Sequence, residues 1–189
     1  MILLALERST RLGSIAIFRD GVCVLSHFTP VHVEGGVDVS TAVMDALSLL
    51  HLTPPEVTQC AVGLGPGSFA GIRSALAFLE GFCAPRHVPI LGISSAAAIV
   101  HEVGSDAIVL GDARRGQYWV YVSEKMQLIP YADFHRDSTQ RLFSPDVERI
   151  RCDGVQHAIP TAKSIGELAL NPDVPKTCPP LPLYLHSAV

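Results

Sequence analysis

The sequence of 189 residues lacks the features that mark several special classes of protein. No stretch of about 18 apolar residues is free of breakers, because four glycines and a proline interrupt the longest uncharged run, residues 57–72; a membrane span is therefore excluded. The five cysteines form no CxxC pair, which predicts buried free thiols rather than a disulfide framework. The eight histidines form no HExxH or HxxxH pair, and no metal site is predicted.

Charge is also scarce, above all in the first half of the chain. Residues 1–104 carry five basic and eight acidic side chains and no lysine, whereas residues 105–189 carry nine and ten. The net charge of −4 argues against a protein that binds nucleic acid on its own, since such proteins present a basic face. A first half this poor in charge is unlike a lobe that is freely solvated on all sides.

The opening segment bears on where the protein works. Residues 1–6 are apolar but have no basic flank, and Glu7 and Arg8 end the run. This pattern differs from a secretory signal and favours a buried first strand. We therefore expect a cytoplasmic protein with no membrane partner.

The first half of the chain alternates strand and helix patterns. The turn Asp20-Gly21 lies between two β-branched runs and predicts a hairpin within an antiparallel meander. Helical periodicity then alternates with short apolar runs, which gives the order β-β-β-α-β-α of a ribonuclease-H-like lobe. The predicted strands span residues 2–7, 13–19, 22–28, 58–64 and 89–93, and the predicted helices span residues 37–51, 69–84 and 94–103.

Gly104-Ser105 predicts a boundary between two lobes, residues 1–104 and residues 105–189. The second lobe is reduced, because its strand patterns are few and its helical patterns are short. Five prolines between residues 172 and 182 predict an extended tail. The fold class is therefore α/β with two unequal lobes. The patterns of the second lobe are strands at residues 107–111 and 117–122 and short helices at residues 145–150 and 162–171.

Residues 63–73, the glycine-rich segment, are the sharpest local feature. A strand followed by glycines and a helix N-terminus exposes backbone N–H groups that can hold an anion. The spacing matches neither a Walker motif, nor GxGxxG, nor GxSxG, so a structural turn with Ser68 as the helix N-cap is the alternative. The candidate residues are Gly63, Gly65, Pro66, Gly67, Ser68, Gly71 and Arg73.

The helix that follows the glycine-rich segment is apolar around most of its circumference. One stripe is expected to face the sheet, two phenylalanines widen it, and a row of small residues lies opposite. This pattern predicts contact with a helix of another protein, although the helix at residues 37–51 is an alternative cover within the chain. The candidate interface residues are Ser74, Ala77, Phe78, Gly81 and Phe82, with Thr41, Asp45 and Ser48 on the earlier helix.

Two polar turns are weaker candidates. Glu7 and Arg8 follow the first strand, where an ordinary polar turn is the favoured interpretation. Asp112, Arg114 and Arg115 lie in a second turn that is too bulky to cradle a phosphate, so a surface hairpin is favoured. Its arginines can meet RNA or an acidic partner.

The glycine-rich segment reads GLGPGSFAGIR and resembles the signature GxGPGSFTGhR of the TsaB family. Other parts of the chain match the same family in the same order, so the resemblance covers most of the sequence. These parts are residues 2–6, 20–21, 92–95, 112–118 and 182–185.

The resemblance implies an actin-like ATPase fold of two ribonuclease-H-like lobes. It also implies a part in making threonylcarbamoyladenosine next to the anticodon of tRNA, as an inactive relative of the TsaD transferase. In this family the subunit pairs with TsaD through helices of its first lobe and forms a homodimer when alone. A TsaE-like ATPase joins the complex. The resemblance thus implies no tightly bound cofactor, ATP or ADP only within the complex, and indirect contact with tRNA.

The sequence departs from the family pattern at three places. Glu7 and Arg8 replace an Asp followed by Thr or Ser, Ala70 replaces a common Thr, and residues 32–36 replace a His-Ser element. These changes argue against nucleotide binding by the chain alone. Two other functions stay open at this stage, a small ATPase or kinase of the actin-like superfamily and a glycoprotease-like peptidase.

Overall fold

A computed structural model describes residues 1–30, 38–135, 137 and 139–185 of the chain. Two five-stranded sheets carry packed helices, which is an α/β architecture. Within these residues, every helix is too short or too polar to cross a membrane. The strands are β1 (Ile2–Glu7), β2 (Leu12–Arg19), β3 (Val22–Pro30), β4 (Gln59–Gly63), β5 (Ile90–Ile93), β6 (Ile108–Arg114), β7 (Gln117–Val122), β8 (Lys125–Pro130), β9 (Leu142–Ser144) and β10 (Val155–His157). The helices are α1 (Val39–Leu49), α2 (Phe69–Cys83), α3 (Ser95–Val103) and α4 (Ala162–Leu170).

The two sheets have the same topology. The first has the order β3-β2-β1-β4-β5, and the second has the corresponding order β8-β7-β6-β9-β10. In each sheet the first three strands pair antiparallel and the last two add in parallel. The predicted ribonuclease-H-like order is therefore confirmed for the first sheet, and the second sheet repeats it.

The hairpin between β2 and β3 follows from its turn residues. Asp20 and Gly21 have φ values of 51° and 84°, the left-handed positions that a two-residue turn of type I′ requires. Met1 extends the contact, because its N–H₃⁺ group lies 2.7 Å from the Asp20 carboxylate. The predicted hairpin is confirmed.

Helices α1 and α2 pack on one face of the first sheet. The apolar side chains of α1 and α2 form one core with two side chains from each of two strands. These are Leu4 and Leu6 of β1 and Ile15 and Ile17 of β2. The stripe predicted for α2 is buried as expected, from Ile72 to Cys83. Asp38 caps α1 and Ser68 caps α2, each by accepting a hydrogen bond from a backbone N–H of the first turn.

The second sheet contains three strands that the sequence did not predict. Strand β8 alternates half-buried and exposed residues, and β9 and β10 have three residues each. The helix predicted at residues 145–150 is a single 3₁₀ turn, Val147–Arg149. In their described parts, the connections from β8 to β9 and from β9 to β10 contain only 3₁₀ turns, where the first lobe has α1 and α2. This is the physical sense in which the second lobe is reduced.

The last helix of each half crosses to the other half. Helix α3 follows the first sheet but packs Ala96 and Ile99 against Trp119 of the second. Helix α4 follows the second sheet but packs Ile165 against Leu3 of the first. The proposed division at residues 104 and 105 falls where the chain changes sheets, but α4 departs from it because its apolar face is buried on the first sheet.

The proline-rich tail also returns to the first sheet. The backbone of Thr177 exchanges two hydrogen bonds with Gly92 at the edge of β5, at 2.9 and 3.1 Å. The N–H of Leu183 then donates to the carbonyl of Leu64 at 3.0 Å. The tail therefore runs from the edge of the first sheet to the glycine-rich segment.

Two glycines in helices allow a matched test of this packing. A Cβ atom on Gly166 of α4 would lie 2.1 Å from the buried ring of Phe18, whereas one on Gly81 of α2 would meet nothing within 4 Å. We expect Gly166→Ala to lower the free energy of unfolding by about 1–3 kcal/mol through overpacking. The same change at Gly81 should raise it by about 1 kcal/mol through helix propensity. Urea unfolding of both variants measures the difference, and equal effects would contradict the placement of α4.

Candidate functional site

The glycine-rich segment packs directly on the loop between β1 and β2. A Cβ atom on Gly67 would lie 2.2 Å from the carbonyl oxygen of Ser9, and one on Gly71 would lie 2.0 Å from that of Arg8. The N–H of Ser68 donates to the Ser9 carbonyl at 2.6 Å. Glycine at these two positions is thus required by the close approach of two backbones.

Glu7 lies at the centre of this contact and is fully buried. Its Oε1 accepts the N–H of Ser9 at 2.5 Å, and its Oε2 accepts the hydroxyl of Ser95 at 2.6 Å. Ser95 in turn accepts the N–H of Gly65 at 3.0 Å. A Cβ atom on Gly63 would lie 1.8 Å from Oε2, so the glycine leaves room for the carboxyl group. Glu7 therefore joins the loop between β1 and β2, the glycine-rich segment and the start of α3.

Burial controls the ionisation of Glu7. It raises the pKa of the carboxyl above its ordinary value, and the hydrogen bonds from Ser9 and Ser95 oppose part of this effect. The sequence favours an ordinary polar turn at Glu7. The structure gives it a larger role, because the side chain joins segments that are 88 residues apart.

Several backbone donors of the glycine-rich segment already have partners. The N–H of Ser68 bonds to Ser9, that of Gly71 bonds to the Ser68 hydroxyl, and that of Gly65 bonds to Ser95. The predicted N-cap role of Ser68 is confirmed. These bonds give the segment a structural use, and they leave fewer N–H groups for an anion than the sequence pattern indicates.

A cleft of about 580 Å³ lies between the two lobes, beside the glycine-rich segment. The first lobe contributes the loop between β1 and β2 and the start of α2. The second lobe contributes the last three residues of β6 and the segment around the 3₁₀ turn Val147–Arg149. The tail closes one side with residues 182–185. Residues far apart in the sequence thus form one concave site.

Three arginines and two aspartates line the cleft, namely Arg11, Arg114, Arg149, Asp112 and Asp146. The Asp112 carboxylate accepts the hydroxyl of Tyr131 at 2.7 Å and the N–H of Arg114 at 2.8 Å. Arg114 adopts a left-handed φ of 66° in this turn, and its guanidinium lies 3.7 Å from Asp112. The predicted loop of Asp112, Arg114 and Arg115 is therefore a hairpin turn, and its first two charged residues face the cleft.

The two aspartates are perturbed in opposite directions. Burial alone would raise the pKa of Asp112, but the hydrogen bonds from Tyr131 and Arg114 outweigh it and the pKa is lowered. Burial raises the pKa of Asp146, which lacks comparable hydrogen bonds, while Arg149 and Arg11 oppose the rise. Arg11 of the first lobe and Asp146 of the second line the same cleft, so both lobes contribute charge to it.

Two exposed aromatic rings stand at the mouth of the cleft. Phe69 begins α2 and is 53% exposed, and Tyr184 of the tail is 63% exposed. Their ring centroids are 5.9 Å apart, and the Arg73 guanidinium lies 5.0 Å from the centre of the Phe69 ring. A cation and two partly exposed aromatic rings thus lie together at this edge of the cleft.

The predicted interface residues lie on the outer surface of α1 and α2. Thr41, Asp45 and Ser48 of α1 are exposed, and so are the small residues Ser74, Ala77 and Gly81 of α2. We call this surface the α1–α2 face and add to it the exposed side chains of Met44 and Leu49.

Phe78 and Phe82 differ from the other predicted interface residues, because both also contact the core. Both are half-buried and pack against the core between α1, α2 and the first sheet, with ring centroids 5.5 Å apart. Arg86 covers part of Phe82, with its guanidinium 5.0 Å from the ring centre. The surplus apolar surface predicted for α2 is therefore covered in part from within the chain.

No three His, Cys, Asp or Glu side chains come together as a possible metal site within the part of the chain that the structure describes. His32 and the other residues of the segment 32–36, where the sequence departs from the family pattern, lie outside the described residues.

Sequence reasoning missed much of the cleft. Arg11, Asp146 and Arg149 belong to segments with no recognisable local motif, and only the fold brings them together. Phe69 lies within the glycine-rich segment, but its position there gave no sign that the ring is exposed. Residues 92–95 and 182–185, which resemble the TsaB family, lie beside the glycine-rich segment in space. Their resemblance to the family is therefore a signal that could have indicated this part of the cleft.

The buried carboxyl of Glu7 makes stability depend on pH. Because the folded chain binds this proton more tightly than the unfolded chain, its contribution is complete below the ordinary pKa near 4.5 and is lost as the pH rises through the folded pKa. We expect Glu7→Gln to remove this loss, which amounts to at most about 1.4 kcal/mol per pH unit. Urea unfolding from pH 4 to pH 8 measures it.

A matched control for this experiment is Glu56→Gln. The backbone and side chain of Thr53 donate hydrogen bonds to Glu56 and lower the pKa of that exposed carboxyl. Its contribution is present above the ordinary pKa and is lost as the pH falls, so this variant should change the slope in the opposite direction. Slopes that match the parent protein in both variants would contradict the assignment.

Comparison with known proteins gives a consistent family. The model of the family described as TsaD, tRNA N6-adenosine threonylcarbamoyltransferase, matches residues 37–162. The chain is 26% identical over 153 residues to the tRNA threonylcarbamoyladenosine biosynthesis protein TsaB of Escherichia coli, covering 78% of this chain and 64% of that protein. It is 26% identical over 123 residues to TsaB of Bacillus subtilis, covering 63% and 53%. The chain thus spans less than two thirds of the length of these relatives.

Solved structures support the fold. A Pseudomonas aeruginosa protein described as similar to the peptidase YEAZ superposes with a TM-score of 0.72 at 23% identity, covering 98% of this chain and 99% of that one. YeaZ from the same organism gives 0.67 at 24% identity, covering 89% and 90%. The two sheets of equal strand order are the two lobes of an actin-like ATPase fold, as the sequence predicted. With the match to the TsaD model over most of its length and its similarity to two TsaB proteins, the chain belongs to the TsaB family.

Proposed function

We propose that this chain is a non-catalytic subunit in the synthesis of threonylcarbamoyladenosine next to the anticodon of tRNA. In this role it binds and activates a TsaD-like transferase in the cytoplasm. The proposal rests on the family and on one observation of the fold, the low charge of the α1–α2 face. A TsaE-like ATPase, with ATP or ADP bound in the assembly, completes the proposed complex.

The α1–α2 face has the composition of a protein interface. Helix α1 has 11 residues and α2 has 15, and together they carry three charged side chains, Asp45, Arg73 and Glu80. Met44 is 46% exposed and Leu49 is 74% exposed. Interface cores are depleted of charge and enriched in such apolar side chains, which supports docking at this face.

The small residues of α2 favour a helix as the docking element. Ser74, Ala77 and Gly81 lie three and four positions apart and are exposed together. A Cβ atom on Gly81 would meet nothing within 4 Å, so the backbone is open to an approaching chain. Small side chains at a contact permit a short distance between helix axes.

The fold also favours a related partner. A TsaD-like protein shares the family model that matches this chain, so it can present the same pair of helices. Two such pairs pack around an approximate two-fold axis. The same geometry permits a homodimer when the partner is absent, and the contact with tRNA then passes mainly through the transferase.

The engagement of Glu7 supports a non-catalytic role over the alternative of a small kinase or ATPase. Its carboxyl is buried and bound by Ser9 and Ser95, so it is not available to a ligand in the cleft. Glu7 also holds the glycine-rich segment in contact with the loop between β1 and β2. We therefore assign this region to the scaffold of the subunit.

Charge placed on the α1–α2 face tests the proposal. We expect Ala77→Arg and Gly81→Arg to weaken co-purification with the cognate TsaD-like protein at least tenfold, because each would bury an unpaired charge in the contact. The matched control is Ala132→Arg, an equally exposed alanine of the second lobe. Phe78 is unsuitable, since it also supports the core.

The measurement is the amount of transferase retained on the tagged chain, together with the melting temperature of each variant. Undiminished binding by both arginine variants would contradict the interface. Loss of binding by the control would show that the effect is not specific to this face.

A further inference from the structure

We propose that the interlobe cleft binds a single-stranded segment of RNA directly. This goes beyond the role of partner subunit, because it gives the chain its own contact with nucleic acid. The case for a nucleic acid comes from the cleft itself, and only the choice of RNA over DNA rests on the proposed function.

The cations of the cleft come from three separate segments. Arg11 belongs to the loop between β1 and β2, Arg114 is the last residue of β6, and Arg149 belongs to a 3₁₀ turn of the second lobe. All three are exposed. Arginine binds phosphate through several N–H donors in a fixed plane. Three arginines on two walls therefore suit a chain with successive phosphates.

The acidic side chains of the cleft offset only part of this positive charge. Asp112 already bonds to Tyr131 and to Arg114. Asp146 is half-buried, and burial raises the pKa of its carboxyl, while Glu148 is a third acid near it. The lining carries three arginines against two aspartates, and Arg73 adds a cation at the mouth, although the whole chain carries −4.

The aromatic rings supply what a base requires. Phe69 and Tyr184 expose more than half of their surface next to the cleft, and their centroids lie 5.9 Å apart. Bases of single-stranded nucleic acid stack on such rings without regard to sequence. Arginines beside exposed aromatic rings are the combination that single-stranded nucleic acid favours.

The same cleft suits an RNA segment better than a free mononucleotide. A cavity of 580 Å³ is large enough for a small ligand. However, the N–H groups of Gly65, Ser68 and Gly71 are engaged within the chain, so they do not form a cradle for a triphosphate. The exposed rings and the exposed arginines line the same cleft, which suits a strand that offers both bases and phosphates.

Salt dependence provides the first test. We expect a fluorescein-labelled single-stranded RNA of 12 nucleotides to bind the purified chain with a slope of log K against log salt of about −2, from three phosphate contacts. Arg11→Gln and Arg149→Gln should each reduce this slope by about 0.7. The control is Arg19→Gln, an exposed arginine at the opposite end of the eight-residue strand β2, about 25 Å away.

Stacking provides an independent test. We expect Phe69→Ala and Tyr184→Ala to weaken binding by roughly fivefold to a hundredfold while leaving the salt slope unchanged. The control is Phe28→Ala, which removes a ring that is 46% exposed on β3 and does not line the cleft. Melting temperatures show that each variant is folded.

Fluorescence anisotropy between 50 and 300 mM KCl measures both sets of variants. If ATP or ADP displaces the labelled RNA more effectively than unlabelled RNA does, the proposal is overturned in favour of a mononucleotide site. Equal competition by polyglutamate would also overturn it, and equal competition by DNA of the same sequence would contradict the choice of RNA. Absence of RNA binding with intact co-purification of a TsaD-like protein would reject this inference alone and leave the proposed function standing.

Discussion

The buried contact between Glu7 and the glycine-rich segment is the constraint on which the rest of the structure depends. An ionisable group without solvent is costly unless hydrogen bonds compensate, and Ser9 and Ser95 supply them. Gly63 leaves room for the carboxyl, and Gly67 and Gly71 allow the two backbones to touch. This contact sets where α2 begins. It therefore positions both the floor of the cleft and the outer surface of the helix.

The exchange of α3 and α4 adds a second constraint. Because each helix packs on the sheet of the other half, the two lobes share buried surface rather than a simple hinge. The tail strengthens this arrangement by bonding to Gly92 of the first sheet and to Leu64 of the glycine-rich segment. The walls of the cleft come from both lobes. The packing of α3 and α4 and the hydrogen bonds of the tail therefore fix the positions of its charged groups relative to one another.

The sequence predicted elements whose signals are local. Asp20-Gly21, the Ser68 cap and the periodicity of α2 each depend on neighbours within a few residues, and the structure has them as expected. Strands β9 and β10 were missed because three residues are too short for a pattern. The placement of α4, the path of the tail and the cover of Phe78 depend on contacts between distant segments, which periodicity does not report.

The low charge of the chain and its arginine-lined cleft are compatible when affinity is considered. A net charge of −4 argues against a broad basic surface, and we expect three arginines and two rings to bind a strand only weakly. Weak contacts become effective when a second protein holds the same ligand, because the local concentration is then high. The cleft and the α1–α2 face have no residue in common, so both can be occupied at once. A subunit that docks on a transferase by one surface and touches RNA by the other needs no strong site of its own.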